Sequence, residues 1–174
     1  MLIFASLALL ATSAGWDRVV TAEQYVEAFQ SICLQGFGDL KHVKAATKAY
    51  GFRRDARTAL FPNSYYAKKS EISLVYRGTL DDVYKAYAPQ CSIQIHSQVS
   101  DEQYEAFERR IEKSLHLPPG NRESAAVDRA TSWPYGQLRI VLAREVLGTD
   151  PQLRLGVQPA PDACLLKDGV CSRP

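Results

Sequence analysis

Cys33, Cys91, Cys164 and Cys171 follow an apolar N-terminal run, MLIFASLALLA, and this pairing constrains the fold more than any other feature of the chain. Disulfides persist where the compartment is oxidising, so an even cysteine count behind an export-like leader predicts covalent ties between elements distant in sequence. Three connectivities are open. Cys164 and Cys171 lie close together in a Pro- and Gly-containing tail, which favours a local bridge there and leaves Cys33 with Cys91. On the chain-entropy account the longer loop would contribute roughly 4 kcal/mol and the shorter roughly 2.5 kcal/mol. There is no CxxC and no paired ligand spacing, so stability rather than redox chemistry or metal binding is the expected role.

The leader is read as a signal peptide over residues 1–14, with Thr12 and Ala14 supplying the small side chains before cleavage. Its apolar core is far short of the roughly 20 residues a bilayer span needs. No Lys or Arg precedes that core, so a buried N-terminal element is the competing reading. The signal-peptide reading makes the mature chain periplasmic or secreted, with no transmembrane anchor after processing.

The remaining length suits one domain over residues 15–158 and a tail over 159–174 with its own disulfide. A formal net charge of +2 conceals a strong asymmetry. Lys41, Lys44, Lys48, Arg53, Arg54, Arg57, Lys68 and Lys69 face only Asp55 within residues 41–69, whereas acids outnumber bases in residues 70–128. A basic segment of this kind attracts anionic partners or forms a solvated face.

Thr21 with Gln24 and Ser100 with Gln103 are capping boxes, each followed by apolar residues at helical spacing. They predict helices over about Ala22–Gln35 and Asp101–Leu117. A third helix is expected between Asp39, as its cap, and Gly51, as its stop. Alternation predicts strands around Ile72, Leu74 and Tyr76, around Cys91, Ile93 and Ile95, and in a long hairpin over 137–158, with a further short strand at Ser64–Ala67. Residues 79–88 fit a helix or a strand equally, and the polar stretch from Pro118 to Ser132 reads as a loop. The fold class expected is α+β, an antiparallel sheet of four to five strands covered on one face by about three helices.

Chemistry is harder to find. No GxSxG frame is present, and His42, His96 and His116 show no HxH, HxxxH or HExxH relation. No catalytic residue, metal ligand or cofactor is assigned on sequence. His96, at a strand end before a helix, is the one histidine for which a catalytic role is weighed. Asp101 and Glu102 fall at a helix start, where the macrodipole favours acids. Trp133, Pro134 and Tyr135, and Tyr65 with Tyr66, could form aromatic platforms but serve core packing more economically. Modest net charge argues against nucleic-acid binding.

A helix bearing Cys33, a Gly51–Phe52 pair closing the next helix and a strand opened by Cys91 together resemble small exported proteins of Gram-negative bacteria that carry a helix-to-strand disulfide. That resemblance spans roughly residues 20–100 and implies an exported α+β domain without implying any activity. The functional expectation is a non-enzymatic binding or accessory domain for a protein or anionic envelope component, with Lys41, Lys44, Arg53, Arg54 and Arg57 as binding residues. Two alternatives stand beside it: a small hydrolase or transferase whose site assembles around His96, and a structural subunit of an envelope assembly.

Overall fold

The computed structural model describes residues 20–54, 64–67, 71–77, 90–123, 128–147, 150–160, 165–167 and 170–172. The leader, Arg57, residues 79–88, Lys68, Lys69 and Cys164 lie outside them, and with Cys164 the local tail bridge.

Both capping boxes form as the sequence dictates. Thr21 Oγ1 accepts from the Gln24 N–H at 3.2 Å while Gln24 Oε1 accepts from the Thr21 N–H at 3.3 Å, opening α1 (Ala22–Phe29). The helix runs on into a π-helical turn, Gln30–Leu34, closed by the Gln35 N–H on the Gln30 carbonyl. That change of helix type shortens the regular α-helix relative to the expected Ala22–Gln35, and Ile32 and Cys33 within the turn are fully buried. Asp39 caps α2 (Leu40–Ala49) by accepting from the Lys41 and His42 N–H groups, and Gly51, at φ +73°, takes the left-handed conformation that ends it. Ser100 caps α3 (Asp101–Leu115), which stops at His116 in the same left-handed region.

Among the described residues the main sheet has eight strands, more than the four or five expected. They are β1 (Phe52–Arg54), β2 (Ser64–Ala67), β3 (Ile72–Arg77), β4 (Gln90–Ile95), β5 (Asn121–Glu123), β6 (Arg129–Tyr135), β7 (Leu138–Leu147) and β8 (Asp150–Pro159). They run β1-β2-β3-β4-β8-β7-β6-β5, every neighbouring pair antiparallel. The expected loop from Pro118 to Ser132 contains β5 and the start of β6. Alternation failed there because Arg129 and Thr131 face the helix layer and are satisfied by Glu108 of α3, so a polar pair stands where an apolar one would announce a strand. In the tail, β9 (Leu165–Lys167) and β10 (Val170–Ser172) pair with each other and not with the main sheet.

The helices lie on one sheet face. Tyr25, Phe29 and Ile32 from the first helix meet Tyr104, Phe107 and Ile111 from α3 over Leu74, Ile93, Leu142, Leu153 and Leu155, all buried. Tyr25 and Phe107 meet edge to face at 5.3 Å. Cys33 is bridged to Cys91 with Cα atoms 5.3 Å apart, tying the π turn to β4. Among the described residues no helix is long and apolar enough to cross a membrane.

Candidate functional site

Three features outside the core merit a chemical reading, and His96 supplies the first. Ser73 on β3 is paired directly with Gln94 on β4, so their side chains share the sheet face opposite the helices. The His96 N–H donates to the Glu71 carbonyl at 2.7 Å, extending the ladder past the end of β4 and holding the imidazole on the side of Gln94. Its Nε2 then lies 2.7 Å from Ser73 Oγ, and Gln94 Oε1, at 3.2 Å, is a second acceptor for the one proton of the same hydroxyl. From the start of β8, adjacent to β4, Asp150 brings Oδ2 to 3.5 Å from His96 Nδ1. A carboxylate at Nδ1 favours the tautomer that keeps its proton there, which leaves Nε2 free to accept the Ser73 O–H. Side-chain exposures of 35% for His96 and 63% for Asp150 keep the cluster open to solvent.

The other histidines have structural positions. His42 Nε2 lies 2.9 Å from the Ser31 carbonyl oxygen and ties α2 to the π turn, and His116 ends α3.

The second feature is a groove of about 350 Å³ beside α3, bordered by Glu105, Glu108, Arg109, Glu112, Gly120 and Arg122. Its two inner carboxylates are already engaged. Glu108 accepts from Thr131 Oγ1 at 2.5 Å and from Arg129 Nη2 at 3.3 Å. Glu112 accepts from the Gly120 N–H at 2.9 Å and from Trp133 Nε1 at 3.3 Å. Tyr104 completes this seam, its hydroxyl donating to the Leu142 carbonyl at 2.9 Å and lying 3.2 Å from Thr131 Oγ1, with the Arg129 guanidinium 4.3 Å from the ring centre. Burial pushes the Tyr104 phenol up to about 12, against the smaller opposing effect of the Thr131 hydrogen bond. The groove acids therefore latch α3 to β6. Asp101, expected to serve the helix start, also pairs with Arg144 at 2.7 Å. Trp133 is fully buried in this seam and serves the core, whereas Pro134 and Tyr135 after it are exposed.

The third feature is the basic segment. Lys41, Lys44 and Lys48 recur at the spacing of one helical face and are exposed on α2, and Arg53 and Arg54 are exposed on the edge strand β1, which follows α2 directly. Among the described residues none of these five stands in an ion pair. Five arginines elsewhere are neutralised: Arg109, Arg110, Arg129, Arg144 and Arg154 each face at least one carboxylate. Among the described residues no three His, Cys, Asp or Glu side chains converge as metal ligands. Among the described residues the large exposed apolar side chains are Tyr135 and Val146.

Sequence reasoning singled out His96 and the basic residues but missed Ser73 and Asp150, which read as an ordinary polar position of an alternating strand and as a turn residue. Neither a protein-family model, nor a curated protein, nor a solved structure matches the chain. The likeness to exported Gram-negative proteins thus rests on sequence pattern alone.

Proposed function

We propose that the chain is an exported binding domain that captures an anionic partner through the basic end formed by α2 and β1. The observation that carries this reading is the contrast in charge pairing. Acidic partners occupy Arg109, Arg110, Arg129, Arg144 and Arg154, whereas among the described residues Lys41, Lys44, Lys48, Arg53 and Arg54 are exposed and meet no carboxylate. Unneutralised cations at one end of a molecule steer anionic surfaces toward it and lose that reach as salt rises. The Cys33–Cys91 bridge suits an oxidising compartment, which is where anionic envelope polymers and lipid headgroups are met.

Charge on β1 has a second use, since cations on an edge strand discourage pairing with another sheet. Only partner capture predicts dependence on the lysines of α2, which lie off that edge. Replacing Lys41, Lys44, Arg53 and Arg54 by Gln should weaken retention on immobilised lipopolysaccharide roughly tenfold or more at low salt, at about 0.5 kcal/mol for each exposed pair lost. Retention equal to that of the unsubstituted chain at low salt would overturn the proposal.

A further inference from the structure

We propose that Ser73, His96 and Asp150 form an acyl-transfer site that hydrolyses short acyl esters. This inference stands on the sheet face opposite the helices and is independent of the basic end, so either proposal survives the failure of the other.

A serine hydroxyl becomes a competent nucleophile when a base can take its proton as the bond to carbon forms. His96 Nε2 is at 2.7 Å from Ser73 Oγ, within the distance such a transfer needs, and Asp150 at Nδ1 orients the ring and stabilises the imidazolium. The three residues come from β3, the end of β4 and the start of β8, neighbouring elements of one sheet, so the backbone ladder sets their mutual placement. Gln94 Oε1, at 3.2 Å, also accepts from the Ser73 hydroxyl, so the Ser73 proton lies between two acceptors and is drawn to His96 as the bond to carbon forms.

The chemistry balances without a co-reactant other than water. Ser73 Oγ attacks the ester carbonyl carbon while its proton passes to His96 Nε2. The tetrahedral adduct collapses, the bond to the alcohol oxygen breaks, and His96 returns the proton to that oxygen. Water, giving a proton to His96, then attacks the acyl-serine carbon; the carboxylic acid departs and the proton returns to Ser73 Oγ. The substrate class follows from the surroundings. Ser73 is flanked across the strands by Tyr66 and Gln94 and along its own strand by Val75, a mixed surface on which a short acyl group such as acetyl is the substrate class proposed.

A fluorophosphonate probe and p-nitrophenyl acetate, applied to the full purified chain, test this directly. The expected result is a phosphonyl adduct that peptide mapping places on Ser73. Release of p-nitrophenol should fall to background in Ser73→Ala and about a hundredfold or more in His96→Gln. Asp150→Asn should slow the reaction and Asp150→Glu restore part of it, a rescue that a merely structural aspartate would not show. Absence of the Ser73 adduct from the unsubstituted chain, or its undiminished formation in a His96→Gln variant with an unchanged circular-dichroism spectrum, overturns the proposal. Mapping on the unsubstituted chain keeps the test decisive even if a variant fails to fold.

Discussion

The phenol of Tyr25 donates to the backbone carbonyl of Ile93 at 2.6 Å, and the same oxygen accepts from the Leu155 N–H at 2.9 Å. One hydroxyl from α1 thereby stands between β4 and β8, the two central strands of the sheet. Replacing it by Phe keeps the packing against Phe107 and removes only the oxygen, leaving a buried N–H without this acceptor. Tyr25→Phe is therefore expected to destabilise by about 1–3 kcal/mol, read as a lower urea midpoint at unchanged slope. An unchanged midpoint would mean that the two strands close on each other once the hydroxyl is gone.

Alkaline pH should act on the same layer. Burial raises the phenols of both Tyr25 and Tyr104 above the ordinary tyrosine range, Tyr104 to about 12. The unfolded chain releases these protons near pH 10 and the folded chain holds them longer. The neutral phenols thus contribute stability that is complete below pH 10 and is lost as pH rises toward 12, by up to about 1.4 kcal/mol per pH unit for each proton. Urea midpoints taken between pH 9 and 11.5 should fall, and Tyr104→Phe should flatten part of the decline. A profile flat to pH 11.5 would contradict the assignment.

What could be read from sequence followed from whether an element's partners are apolar and local. Both capping boxes and the stripe Tyr104, Phe107 and Ile111 announced their helices, and alternation announced β3, β4, β7 and β8, because one face of each meets the core. The strand β6 was hidden, since Arg129 and Thr131 look inward and are satisfied by Glu108, a pairing no window of sequence reveals. His96 drew notice on its own, but its neighbours did not. Ser73 and Asp150 reach it only through the order β3-β4-β8, and strand order is a property of the folded sheet. The basic residues were legible as charge, whereas the absence of acidic partners for them among the described residues is a property of the folded chain, in which Arg109, Arg110, Arg129, Arg144 and Arg154 are paired.

The Cys33–Cys91 bridge spans a sequence separation of 58 and joins the helix layer to β4. On the chain-entropy account its removal should cost about 4 kcal/mol. Replacing both cysteines by Ala should lower the urea midpoint accordingly, and reductant should then have little further effect on it. Non-reducing peptide mapping should recover Cys33 with Cys91 and, separately, Cys164 with Cys171. A Cys33 peptide joined to either tail cysteine would contradict the layering described above.

Gly120 offers a sharper probe of the seam between α3 and β6. A Cβ at this position would stand 2.4 Å from Thr131 Cγ2 and 2.5 Å from Trp133 Cε2, closer than real contacts allow. Its N–H also donates to Glu112, which holds the Trp133 indole through the same oxygen. Gly120→Ala must therefore displace the indole or the loop, at a cost of roughly 1–3 kcal/mol. Glu112→Ala leaves both donors without their acceptor, with a similar expected loss, while Glu112→Gln retains an acceptor oxygen and should be milder. With Trp16 replaced by Phe, the fluorescence of Trp133 reports the outcome. A shift to longer wavelength in Gly120→Ala and Glu112→Ala, but not in Glu112→Gln, is the pattern this seam requires. An unshifted spectrum in Gly120→Ala would place the indole away from Gly120 and refute the latch.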